Sequence, residues 1–85
     1  MSTITDATTT AINDMGDRTG LLLARATARN ARFPSEDSAM AVTRAQMAHD
    51  YLVESSRTTT PAADRARLLT LAGQFADRAE ALLTA

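Results

Sequence analysis

Gly16-Asp17-Arg18-Thr19-Gly20 decides how many helices this chain contains. Read as a break, the segment separates two shorter helices, Asp17 caps the second, and the chain folds as four short helices with the break at 16–20. Read as helix, it lies inside one long helix from about 5 to 32, kinked near the glycines. Each glycine costs about 1 kcal/mol in a helix interior, and Thr8-Thr9-Thr10 upstream is poor helix material. Periodicity argues the other way. Ile4, Ala11, Ile12, Met15, Leu22, Ala26 and Phe33 fall on one side of a continuous helical wheel, with Thr8 and Thr19 between them. The stripe keeps its phase across both glycines, so the long helix is the expectation. Thr3 with Asp6 resembles a weak capping pair, and residues 1–4 are expected to fray.

Two sharper breaks lie downstream. Phe33-Pro34-Ser35 ends the first helix, because proline disfavours helix for the residue before it. Ser35 is a good N-cap, and Glu36 and Asp37 put negative charge where the dipole of the next helix favours it. Ser55-Ser56-Arg57-Thr58-Thr59-Thr60-Pro61 is the second break, with Thr60 expected to cap and Pro61 at the first helical position. Helices are therefore expected at about 36–56 and 61–84. No strand-like alternation and no internal repeat occurs.

The second helix is apolar over more than half its circumference. Ala41, Ala45, Ala48 and Leu52 form the centre, with Met40, Met47 and Tyr51 on one flank and Val42 and Val53 on the other. Its polar strip is narrow: Thr43, Asp50, Glu54 and Arg57. A helix this broadly apolar needs partners on more than one side, which makes it the central element. The third helix carries Leu68, Leu69, Ala72, Phe75, Ala76, Ala79, Leu82 and Leu83 on one face. The short connection pairs it antiparallel to the second. The reading is a single helical domain over 1–85: an all-α, small antiparallel three-helix bundle with a long first helix.

Composition removes whole classes of function. The 85 residues contain no cysteine and one histidine, which excludes disulfides, thiol nucleophiles, thiolate metal sites and multi-histidine centres. Nine basic and ten acidic residues give a net charge of −1, which does not favour general nucleic-acid binding. No apolar run approaches the roughly 20 residues that span a bilayer. Met1-Ser2-Thr3-Ile4-Thr5-Asp6 lacks the basic start and apolar stretch of a leader, so a cytoplasmic protein is expected. Every basic residue is arginine. That suits bidentate anion contacts, but a GC-rich genome, which writes arginine for lysine and alanine freely, gives the same composition.

Taken singly, the chemistry-bearing residues make weak catalytic candidates. His49 lies toward the apolar side of the second helix with valine at 53 and glutamine at 46, so it has no co-ligand at helical spacing. Ser56 is only a loose nucleophile for it. Asp50 and Glu54 share a face at i, i+4, but Arg57 comes next along that face and a solvated pair is the ordinary reading. Met40, Met47 and Tyr51 could form an adaptable binding stripe, although core packing explains such stripes more often. Glycine-rich phosphate loops and Gly-x-Ser-x-Gly are missing. No catalytic residue, metal site or cofactor is expected, and the chain is read as a non-enzyme.

Two surface features suggest partners. A long first helix spans roughly 40 Å against roughly 30 and 35 Å for the others. Its N-terminal turns, with Ile4, Ala7, Ala11 and Ile12, would then project past the other two helices, and a stripe of Ile4, Ala11, Ile12 and Met15 would self-associate, most simply as a homodimer. Arg18, Arg25, Arg29 and Arg32 recur at helical spacing beside that stripe, with no acid between Arg18 and Pro34. They form a basic ridge for another protein with an acidic surface. The same ridge on a nucleic-acid-associated regulator is the alternative, weakened by the neutral charge and the lack of interleaved aromatics. Leu21-Leu22-Leu23 among the arginines is ordinary core material, and no membrane role is expected.

Gln74-Phe75-Ala76-Asp77-Arg78-Ala79-Glu80-Ala81-Leu82 resembles the last helix of MIT domains, three-helix modules that hold partner helices in a groove. The resemblance is confined to that segment, and the earlier helices depart from the family's pattern. It implies protein binding without catalysis. The expected function is a non-enzymatic helical protein–protein interaction module: a small adaptor, assembly subunit or protein inhibitor.

Overall fold

The computed structural model describes residues 6–84. The expectations placed on Thr3, Ile4 and the frayed start lie outside these residues. Three helices account for nearly everything described: α1 (Asp6–Arg32), α2 (Glu36–Ser56) and α3 (Ala62–Thr84). α1 runs unbroken through Gly16–Gly20, and no described residue takes a left-handed backbone. The reason is burial on either side of the glycines. Thr19, between them, is completely buried, and the apolar face continues one and two turns later with the buried Leu22 and Ala26.

The two glycines differ in their surroundings. A Cβ on Gly16 would stand 3.4 Å from Leu52 Cδ2, so Gly16 lets α2 approach closely. At Gly20 a Cβ would meet nothing within 4 Å. Gly20→Ala is therefore expected to stabilise the fold by about 0.5–1 kcal/mol, the usual helix-interior gain. Gly16→Ala should gain about as much, because its Cβ would sit at ordinary contact distance from the flexible end of Leu52. Urea unfolding followed by circular dichroism reads both. A loss of stability in Gly20→Ala would show that α1 is not helical there.

Cross-helix contacts fix the directions. Gly16 meets Leu52, Thr19 meets His49, and Asn30 meets Ser38, so α1 and α2 are antiparallel. Arg65 reaches Ser55 while Arg44 lies over Phe75, so α2 and α3 are antiparallel too. Met15 meets Gly73 and Arg18 meets Asp77, so α1 and α3 run parallel. The bundle measures 48 × 18 × 17 Å. As its wide apolar surface requires, α2 packs extensively against both neighbours, whereas α1 and α3 touch least. A spine of alanines lets the helices close: Ala26, Ala41, Ala45, Ala48, Ala72, Ala76 and Ala79 are all fully buried. Leu22, Leu52, Phe75 and Leu83 supply the bulk around it.

Ser35 caps α2 as its position suggests. Its hydroxyl accepts from the Ser38 amide at 3.0 Å, and the Ser38 hydroxyl accepts from the Ser35 amide at 2.9 Å. Ser38 is buried, and its own hydroxyl is 2.9 Å from Asn30 Oδ1, tying the cap to α1.

The second junction departs from expectation. Thr60 does not cap α3; its hydroxyl donates to the Glu54 carbonyl at 2.7 Å. α3 starts at Ala62, and the Pro61 carbonyl accepts from the Arg65 amide at 2.9 Å. The orphan carbonyls at the end of α2 compete for the nearby donors. They draw in Arg65 as well, only 5% exposed. Its guanidinium donates to the carbonyls of Ser55 at 2.9 Å, Arg57 at 3.0 Å and Thr60 at 3.1 Å.

Two residues of the α1 stripe are corrected. Phe33 is 69% exposed rather than inward. Its amide still donates to the Arg29 carbonyl at 2.7 Å, so it keeps its phase on the wheel, but α3 ends level with Arg25 and no described α3 residue reaches far enough to cover it. Ala11 is also exposed.

Candidate functional site

Of the four ridge arginines, Arg18 is taken up by the chain's own α3. Its Nη2 donates to Asp77 at 2.6 Å and Glu80 at 3.0 Å. The hydrogen bond to Asp77, and then that to Glu80, raises the Arg18 pKa above its ordinary value. Register explains why the others are left. α1 and α3 are parallel and rise equally per residue, so seven residues beyond Arg18 brings Arg25 level with the last described turn of α3. The acids of α3 are then behind it. Arg25, Arg29 and Arg32 are exposed, and none makes an ion pair among the described residues. Arg29 and Arg32 stand in the last turn of α1, where the helix dipole favours cations.

The outer face of α1 is not purely basic. Leu21, Arg25, Ala28 and Arg32 recur at i, i+4, i+7 and i+11, which is one line along a helix. All four are exposed, Leu21 by 62%. Leu21 opens this line and the arginines follow it, whereas the exposed Asp17 and Asp14 stand one and two turns before it, so the cationic part of the face is its C-terminal half.

The expected self-association stripe is divided. Met15 is half-buried, and its Cε lies 3.5 Å from where Gly73 would carry a Cβ, so it packs on α3 of its own chain. Ile12 is half-buried and Ala11 exposed, while Ile4 lies outside the described residues.

The residues weighed for catalysis are engaged in separate contacts. His49 Nδ1 is 3.5 Å from Thr19 Oγ1, a contact between the first two helices. The Ser56 hydroxyl donates to the Val53 carbonyl at 2.8 Å. Asp50 accepts from Gln46 at 3.0 Å, and Glu54 pairs with Arg57 at 3.3 Å. Among the described residues no group of histidines and carboxylates could hold a metal ion, and no helix is long and apolar enough to cross a membrane.

A second surface forms where α2 meets α3. Met47, Asp50, Tyr51, Glu54 and Leu68 line an open groove of about 360 Å³. Tyr51, in its lining, stacks on Phe75 with ring centroids 5.4 Å apart. The Arg44 and Arg78 guanidinium carbons lie 5.8 and 5.0 Å from the centroid of the same Phe75 ring. The groove is thus apolar below and acidic at the rim. The α2 residues were legible singly, but Leu68 joins them only through packing. No family model, no curated protein and no solved structure matches this chain, so its function must be read from these two surfaces.

Proposed function

We propose that this chain is a non-catalytic helical interaction module, and that it docks a protein of acidic surface on the outer face of α1. One observation carries the reading: Arg25, Arg29 and Arg32 stand exposed and form no ion pair among the described residues, on a face that also exposes Leu21. Arginine offers bidentate contacts to carboxylates, and the exposed Leu21 adds apolar area at the N-terminal edge of the arginine cluster. Arg18 falls outside the surface, being held by Asp77 and Glu80. The bland role of Arg29 and Arg32 against the α1 dipole does not extend to Arg25, two turns before the helix end.

Differential capture tests this. The tagged chain, an Arg25→Glu/Arg29→Glu/Arg32→Glu variant and an Arg67→Glu control on α3 are each used to capture proteins from the source cell. The expected result is a partner retained by the chain and the control and lost by the triple variant. Equal retention by all three would overturn the reading. Labelled RNA and duplex DNA serve as the competing probe. Saturable binding whose affinity falls steeply with salt would assign the ridge to nucleic acid instead.

A further inference from the structure

Both surfaces are left uncovered by the described residues, and they are opposite in charge. We propose that the acid-rimmed groove between α2 and α3 receives the outer face of α1 from a second copy, so that the chain assembles head to tail. The inference rests on the reading of the α1 outer face as a docking face and names a partner for it.

The two surfaces are complementary in charge. The groove presents Asp50 and Glu54 over Met47, Tyr51 and Leu68. The α1 face presents Arg25 and Arg29 beside the exposed Leu21. Their spacings match as well. Leu21, Arg25 and Arg29 succeed one another at i, i+4 and i+8, and Met47, Asp50 and Glu54 at i, i+3 and i+7. Residues three or four apart are neighbours on a helix surface, about 5–6 Å between Cβ atoms. Two parallel helices therefore bring Leu21 to Met47, Arg25 to Asp50 and Arg29 to Glu54 in a single register. The acids are weakly committed at home. Glu54 pairs with the exposed Arg57, and Asp50 accepts a hydrogen bond from the exposed Gln46.

The placement of the two faces fixes the kind of assembly. His49 and Leu52 turn toward α1. Met47, Tyr51 and Glu54 lie on the other side of α2, about half a helical turn round. Leu21 in turn lies across α1 from the buried Thr19 and Ala26, with Arg25 beside it on the flank that Arg18 shares. Donor and acceptor faces thus point away from each other across the bundle. Two copies cannot satisfy both contacts reciprocally, and a heterologous contact of this kind continues from copy to copy.

Light scattering across a concentration series reads the result. The unmodified chain should pass from monomer to species heavier than a dimer as concentration rises, and more weakly as salt is added. Arg25→Gln/Arg29→Gln/Arg32→Gln keeps its groove and loses its donor face. Asp50→Asn/Glu54→Gln keeps its donor face and loses its groove. All five positions are exposed, and matching far-ultraviolet circular dichroism confirms that each variant folds. Each alone should be monomeric, and their equimolar mixture should stop at the mass of two chains, since each has one working surface. An unmodified chain that stays monomeric throughout would overturn the inference. So would a species that stops at two chains, or association that survives in either variant. None of these outcomes alters the capture result, which judges the docking face separately.

Discussion

Phe75→Ala is expected to leave the chain largely unfolded at room temperature. Phe75 is only 9% exposed, belongs to the buried core, and stacks on Tyr51. Truncating a buried phenylalanine costs about 3–5 kcal/mol. A domain of this size holds about 0.05–0.15 kcal/mol per residue in total. The alanine-rich spine cannot collapse into the hole, because Ala72, Ala76 and Ala79 beside it have no side-chain length to move. Phe75→Leu keeps most of the apolar volume and gives up the ring contacts, each about 0.5–1.5 kcal/mol. It should fold with a lowered midpoint. Urea titrations of both variants decide the matter. A Phe75→Ala midpoint near that of the unmodified chain would mean that α2 and α3 do not meet through this ring.

Arg65→Met should be the second most damaging change, by about 2–4 kcal/mol. It removes three charge-assisted hydrogen bonds, to the carbonyls of Ser55, Arg57 and Thr60, of which Arg57's keeps a bond from the Thr60 amide. The guanidinium also places positive charge at the C-terminal end of α2, where the helix dipole favours it. Methionine preserves most of the buried length, so the loss reports the head group rather than a cavity. Arg65→Lys should recover only part, since an ammonium cannot spread its donors over three carbonyls as a planar fork does. Thermal unfolding measures the three chains side by side. Equal stability of Arg65→Met would show that the α2–α3 junction closes without this residue.

These two residues show where sequence reading reaches and where it stops. Phe75 was legible, because Ala72 and Ala79 at i−3 and i+4, and Leu68 and Leu82 at i±7, are apolar and place it on the inner face of α3. Arg65 was not. Its partners are backbone carbonyls of a preceding loop, and no local pattern marks an arginine for that task. Thr60 misled for the same reason: a threonine before a proline looks like a cap for the next helix, yet the open end of α2 used its hydroxyl first. Pro34 and Pro61 set the helix limits closely because proline acts on its immediate neighbours. The glycine segment was settled by the phase of the stripe, a property of many residues together. Phe33 marks the limit of that method, since a helical wheel does not say where the neighbouring helix ends.

The candidate surfaces divide in the same way. The arginine ridge was visible as a spacing, but the loss of Arg18 from it was not, because Asp77 and Glu80 are distant in sequence. The placement of Met15 on Gly73 was equally hidden, although it changes what the α1 stripe can offer a partner. The groove needed Leu68 from another helix. Long-range pairing thus decided which parts of each legible pattern stay available at the surface.

The most direct test of the docking face is position-resolved photocrosslinking in the source cell. A photoreactive benzoylphenylalanine replaces Ala28, in the middle of the α1 outer face, or Ala81, exposed on α3. Discrete adducts are expected from position 28, to another protein or to a second copy, and none from position 81. Adducts at 81 with none at 28 would contradict a docking face on α1, and so would an absence of adducts at both.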